Sequence, residues 1–176
     1  MLEQTILAED ARYNAVIVNT SPLLYLHQIR HLEILQKLYG TLFVPTAVAS
    51  ELAEGKRKGV DVPEPESISW MNIVSTRDRR IIPLLSDLGA GESEVILLGV
   101  EYPQSLLIMD DALGRRIARM NAQTVTGTLG VLLKAKQKGS IPEIMPLLRE
   151  LKTCGMWISP AVEAMILDRA GENNHT

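Results

Sequence analysis

The chain has little of what builds staples and soft-metal sites: of 176 residues, one is cysteine, three are histidine and one is phenylalanine. A lone Cys154 rules out an intrachain disulfide and suits a reducing compartment. With only His27, His31 and His175 beside that thiol, no zinc ligand set can be assembled. His27 and His31 stand one helical turn apart, half of a metal motif, but no third ligand accompanies them. Basic excess is missing too: Lys+Arg total 18 against 21 Asp+Glu, a formal charge of -3, so a nucleic acid would have to be met by a local patch. No apolar run approaches the roughly 18 residues of a spanning helix. The opening MLEQTILAEDARYN has neither the basic nor the apolar region of a signal peptide. A soluble, cytoplasmic protein is expected.

What is present is 46% hydrophobic sequence, enough for one core that removes roughly two-thirds of the unfolded surface from water. The reading is a single domain over 1–176, with its core at about 15–140 and a C-terminal helical extension at about 141–170. The run AVIV at 15–18 reads as a buried strand that stops at Asn19-Thr20-Ser21-Pro22, and the spacing of Leu23, Leu26, Ile29, Leu32 and Leu35 predicts one helix from Pro22 towards Gly40. Strands are expected at 41–44, 70–74 and 106–109, with an extended piece at 123–125 and a short strand near 156. Helices are expected from Pro45-Thr46 to Gly59, in the second half of LGAGESEVILLGV, and at 112–120, 126–138 and 142–152, with a last one ending at 170. The segment 60–69 is a Pro- and acid-rich loop, 81–85, after Arg77-Asp78-Arg79-Arg80, is mixed, and 171–176 should fray.

Strand and helix alternate without repeats or low-complexity linkers. That pattern argues for an α/β fold with a mainly parallel sheet covered on both faces. Such sheets bind ligands at the C-terminal edge of their strands. Asn19-Thr20-Ser21 follow one strand and Asp110-Asp111 follow another, so both groups should emerge at that edge, with Glu51 and Glu92 on helices bordering it.

Singly, each acid has an ordinary use: Asp111 as a helix cap, Glu92 in a helix first turn, Glu51 on a solvated face. Converging at one edge, they would repel by a few kcal/mol per close pair at an effective dielectric of ~20. A hard divalent cation, Mg²⁺ or Mn²⁺, removes that cost and suits phosphate chemistry. Three basic clusters, Lys56-Arg57-Lys58, Arg115-Arg116-Arg119 and Lys134-Lys136-Lys138, are either solvated helix faces or phosphate contacts.

The ordered set VIVNTSPLL, VPTAVASEL, LGAGESEVILLG, LLIMDDALGRRIA and TVTGTLGVLLKAKQKG resembles the PIN-domain family, and the last pair resembles a little-characterised PIN-like branch of it. The resemblance runs from about residue 16 to residue 138. It implies a three-layer α/β/α sandwich and an acidic pocket holding Mg²⁺ or Mn²⁺. It also implies a metal-dependent ribonuclease, the toxin-like component of a toxin-antitoxin pair, with an antitoxin partner and a homodimer. Carried over, the catalytic and metal-site acids are Glu51, Glu92 and Asp110 or Asp111, strand offset favouring Asp111. Ser21, Thr126 and Thr128 support the pocket, and Arg115, Arg116, Lys134 and Lys138 contact RNA. Asn19 joins the metal set but departs from the family pattern, which has an aspartate there. An amide oxygen can ligate a hard cation yet brings no charge and cannot serve as a base.

That departure supports an alternative, a catalytically weak or inactive PIN-like module that binds RNA or protein. A phosphoacceptor domain would need paired acids after the first strand and a lysine after the last, and neither is present. Dinucleotide binding fails on Gly89-Ala90-Gly91, because Glu94 takes the place of the third glycine and no convincing strand precedes it.

Overall fold

The computed structural model describes residues 13–77 and 88–172. The first strand, β1 (Val16–Val18), is buried along its whole length, as a strand covered on both faces must be. It leads into α1 (Thr20–Gln28) and α2 (Glu33–Tyr39), followed by β2 (Leu42–Pro45), α3 (Thr46–Arg57), a short 3-10 turn (Pro65–Ser67) and β3 (Met71–Val74). Then come α4 (Ala90–Glu101), β4 (Leu106–Ile108), α5 (Ala112–Met120), β5 (Thr124–Thr126) and α6 (Thr128–Gln137). The chain continues through α7 (Met145–Thr153) and α8 (Pro160–Ala170).

All described strands are parallel, in the order β3-β2-β1-β4-β5. The chain works outward from β1 to β3 on one side, then crosses back to place β4 and β5 on the other. The crevice between β1 and β4 is therefore the topological switch point. Their register, Val18 beside Ile108, brings residues 19 and 109–111 to the same edge. Beneath the sheet, α4 packs on β1, β2 and β4 with α3 and α5 beside it, while α6 gathers α1, α2 and α8 into a second group. This is the three-layer α/β/α arrangement. Ile17, Leu107 and Ile108 at its centre are fully buried. Among the described residues, no helix is long and apolar enough to cross a membrane.

Three sequence expectations need correction. The single helix from Pro22 towards Gly40 is two helices. At the break, Arg30 takes a left-handed conformation (φ 58), its N–H donates to the His27 carbonyl (2.9 Å), and His31 N–H donates to the Leu26 carbonyl (2.8 Å). These are the two bonds of a Schellman stop, formed without the glycine that normally signals it. Apolar periodicity continues across the break, so it left no trace in the pattern. Replacing Arg30 with glycine removes the steric cost of that conformation at a smaller backbone-entropy cost. We expect it to stabilise the fold by up to about 1 kcal/mol, read as a higher urea midpoint with an unchanged m-value.

The strand expected near 156 is absent. Gly155 (φ 94) and the bond from Met156 N–H to the Leu151 carbonyl (2.9 Å) close α7, and Ser159 caps α8 through Val162 N–H (3.2 Å), so the intervening residues form an irregular connection. Nor is Glu172 frayed: its carboxylate accepts from Ile144 N–H (2.7 Å) and Met145 N–H (2.9 Å), satisfying donors at the start of α7. Of the segments expected to be mixed or frayed, 81–85 and 173–176 lie outside the described residues.

Candidate functional site

Asn19 is the hinge of the site. It follows β1 in an extended conformation, donates its backbone N–H to the Ile108 carbonyl (2.9 Å), and is 0% exposed. It occupies the N-cap position of α1, yet its side chain makes no capping bond. Instead Nδ2 donates to Glu92 Oε1 (2.8 Å), crossing from the end of β1 to the first turn of α4. The amide oxygen Oδ1 is buried and has no hydrogen-bond partner, a costly state for a polar atom.

Glu51, from the second turn of α3, faces the same spot. Its Oε2 accepts from the Thr20 hydroxyl and its Oε1 from Gly91 N–H (2.9 Å). A Cβ at position 91 would stand 2.7 Å from Glu51 Oε2, 2.9 Å from Asn19 Oδ1 and 3.0 Å from Glu51 Oε1. Only glycine fits there, because three oxygens converge on that point. Glu92, one residue further, gains from the positive end of α4.

The helix bearing Glu51 is itself held by a buried acid. Glu94 is 3% exposed, and its Oε2 accepts from Ala47 N–H (2.8 Å) in the first turn of α3. Sequence reasoning saw Glu94 only as a misplaced glycine. It positions α3, and its signal was the acid pair two residues apart in GESE.

Across the switch point, Asp110 is tied to a different element. Its Oδ1 accepts from Thr128 N–H (2.8 Å) and its Oδ2 from the Thr128 hydroxyl (2.7 Å), which fastens β4 to the start of α6. Burial pushes its carboxyl above the ordinary value of 3.8, against the opposing pull of Thr128 and of the nearby Arg115 guanidinium. Asp111 is exposed and caps α5 by accepting from Gly114 N–H (2.6 Å). The cap reading of Asp111 is therefore realised in the geometry, and the cap leaves this exposed carboxylate at the rim of the site.

A cavity of about 750 Å³ opens here, lined by Glu92, Asp110, Asp111, Arg115, Ser21 and Tyr25 among others. Thr126 also lines it, and Thr128 acts through Asp110. Asn19 and Glu51 do not line the cavity: Asn19 connects to its wall through Glu92, and Glu51 through the N–H of the preceding Gly91. Tyr25, which the sequence reading passed over, has its phenol pushed up by burial and by the charge of Asp110. Its place one helical turn from Ser21 was the available signal. Arg115 has its Nε buried without a hydrogen-bond partner, a donor left unspent beside the acids. Arg116 and Lys138 do not line the cavity, and Lys134 sits 5.1 Å above the Tyr39 ring. Of the remaining basic cluster, Lys56 and Lys58 pair with Glu64 (2.5 Å) and Glu54 (3.3 Å), as solvated faces do. His27 bonds Asp61 (2.9 Å) and His31 the Ile29 carbonyl (2.6 Å), so they do not face one ligand.

Among the described residues, no three carboxylate, imidazole or thiol groups are gathered into a ready cation site. The donor chemistry nonetheless fits a hard cation at one place: the unpartnered Asn19 Oδ1 lies beside the Glu51 carboxylate, with Glu92 attached.

Because Asp110 is easier to protonate folded than unfolded, its contribution to stability is full below about pH 3.8 and is lost as pH rises through its raised value. Asp110→Asn keeps an acceptor for Thr128 N–H and removes the buried charge. In metal-free buffer, we expect the variant to be more stable than the native protein at pH 7, with the gap closing towards pH 3. Urea midpoints across that range measure it.

A parallel, doubly wound sheet with acids and an arginine around a cavity at its switch point defines an α/β domain with a charged cavity at its ligand-binding edge. The family is then specific: a model described as a PIN domain matches residues 15–172, and the chain belongs to the PIN-domain family. Members of that family generally use divalent metal ions and bind RNA. No curated protein and no solved structure gives a match.

Proposed function

We propose that the protein is a divalent-metal-dependent endoribonuclease that hydrolyses RNA phosphodiesters. The observation that carries this reading is the buried amide oxygen of Asn19, left without a partner beside Glu51. A buried acceptor left open beside a carboxylate is the kind of oxygen pair that a hard cation takes up. Asn19, Glu51 and Glu92 would hold Mg²⁺ or Mn²⁺, with Asp110 and Asp111 at the adjoining cavity wall. A bound ion of this kind neutralises phosphate charge and activates water. The chain's own groups do the rest. Glu92 fixes the Asn19 amide through Nδ2, Thr20 and Gly91 orient the Glu51 carboxylate, and Ser21 offers a hydroxyl at the cavity wall. Arg115 faces the backbone phosphate, helped by the more distant Arg116, Lys134 and Lys138. Binding that rests on such contacts falls steeply with salt.

The toxin-like role, an antitoxin partner and a homodimer belong to the same proposal and rest on the family resemblance. A second reading, an RNA- or protein-binding module without cleavage, is favoured by the amide at position 19 and by the engagement of both Asp110 oxygens with Thr128. Incubating the protein with single-stranded RNA in Mn²⁺ and in EDTA separates the two. Cleavage in Mn²⁺ that EDTA stops supports the nuclease. Salt-sensitive binding with no cleavage in either supports the module.

A further inference from the structure

Trp157 is 86% exposed, although its neighbours are anchored: Ile158 is buried and Ser159 caps α8. An indole so placed gives up the burial that large aromatics normally gain, and nothing in the fold requires it there. It lines the same cavity as Asp110 and Arg115, together with Arg169 and with Met165, which is 44% exposed. The cavity thus combines three chemistries: carboxylates, guanidinium groups (Arg115 beside Asp110), and an aromatic face among apolar neighbours such as Leu129, Met156 and Val162. Its volume of about 750 Å³ falls within the roughly 300–1,000 Å³ of ligand sites.

We propose that Trp157 is a stacking platform for an unpaired base of single-stranded RNA, with Arg115 and Arg169 contacting the flanking phosphates. The inference deepens the ribonuclease reading and rests on it for the identity of the polymer. A nucleotide supplies what each wall lacks: a π-face for the indole and a phosphate for the arginines. A purely apolar protein segment covering Trp157 would desolvate the guanidinium groups of Arg115 and Arg169 without bringing them an anion. Bases inside a duplex are already stacked on their neighbours, so the platform selects unpaired ones.

The test uses the full chain in EDTA, so that binding is read without cleavage. A 2′-O-methyl RNA oligonucleotide serves as probe, single-stranded and then annealed to its complement. The single strand is expected to quench indole emission saturably in the native protein. The quench should be lost in Trp157→Phe, because the phenyl ring stacks without reporting at the indole wavelength. By anisotropy, Trp157→Ala should weaken single-strand binding between about five- and a hundredfold, and Trp157→Phe much less. Four results overturn the proposal: equal quenching by the duplex, single-strand binding without a quench, unchanged affinity in Trp157→Ala, or no oligonucleotide binding. A blue shift with protein concentration alone would assign the indole to a contact between copies and overturn it as well. Mn²⁺ binding, measured on the same Trp157→Ala sample, reports on the nuclease reading separately, since the indole takes no part in holding a cation.

Discussion

Glu51→Gln should lower Mn²⁺-dependent RNA cleavage by a hundredfold or more while the fold survives. The substitution is nearly isosteric, and the local bonds can be kept: the new amide oxygen still accepts from Gly91 N–H, and the amide nitrogen can donate to a Thr20 hydroxyl turned about its own bond. What disappears is the negative charge beside Asn19 Oδ1. A positioned divalent ion contributes several kcal/mol of transition-state stabilisation, and each 1.36 kcal/mol is tenfold in rate, which sets the expected loss. Single-strand binding through Arg115 should persist, because the cationic contacts are untouched. Cleavage rates in Mn²⁺, paired with anisotropy in EDTA, distinguish a lost ion from a lost substrate.

Asn19→Asp should act in two opposite directions. In the absence of metal, the new carboxylate faces Glu92 at the position from which Nδ2 now donates, and it lies close to Glu51. Two like charges about 4 Å apart repel by roughly 4 kcal/mol at an effective dielectric of ~20, so the metal-free variant should melt well below the native protein. With Mn²⁺ present, the same charge becomes a third acidic ligand. Affinity should rise by about ten- to a hundredfold, and saturating metal should raise the melting temperature of the variant by more than that of the native protein. Melting curves with EDTA and with Mn²⁺ measure both arms. A variant that loses stability and gains nothing from Mn²⁺ would show that this corner does not receive a cation.

Much of the fold was legible because its central strands carry their environment in their composition. A β-branched run such as VIV is what a strand buried on both faces requires, and a sheet built of such runs with helices between them is parallel. The edge that gathers Asn19 and Asp110 followed from that topology. The break at Arg30 was not legible, since a left-handed arginine leaves both apolar periodicity and residue type unremarkable. Within the site, residue types were readable but orientations were not. Asp110 and Asp111 are adjacent acids after one strand, yet one is fastened to Thr128 from a distant helix and the other caps its own. Side-chain direction there depends on where α6 docks, which local sequence does not encode. Glu94 and Tyr25 were missed for the same reason: each acts on a residue far away in the chain, Glu94 on α3 and Tyr25 beside Asp110.

Titration calorimetry of Mn²⁺ into the metal-free native protein, beside Glu51→Gln, bears most directly on whether Asn19, Glu51 and Glu92 form a cation site. Saturable binding in the native protein that Glu51→Gln abolishes is the expected result. Binding unchanged in Glu51→Gln, or no heat beyond dilution in the native protein, would contradict the metal site and leave these acids as structural ties between β1, α3 and α4.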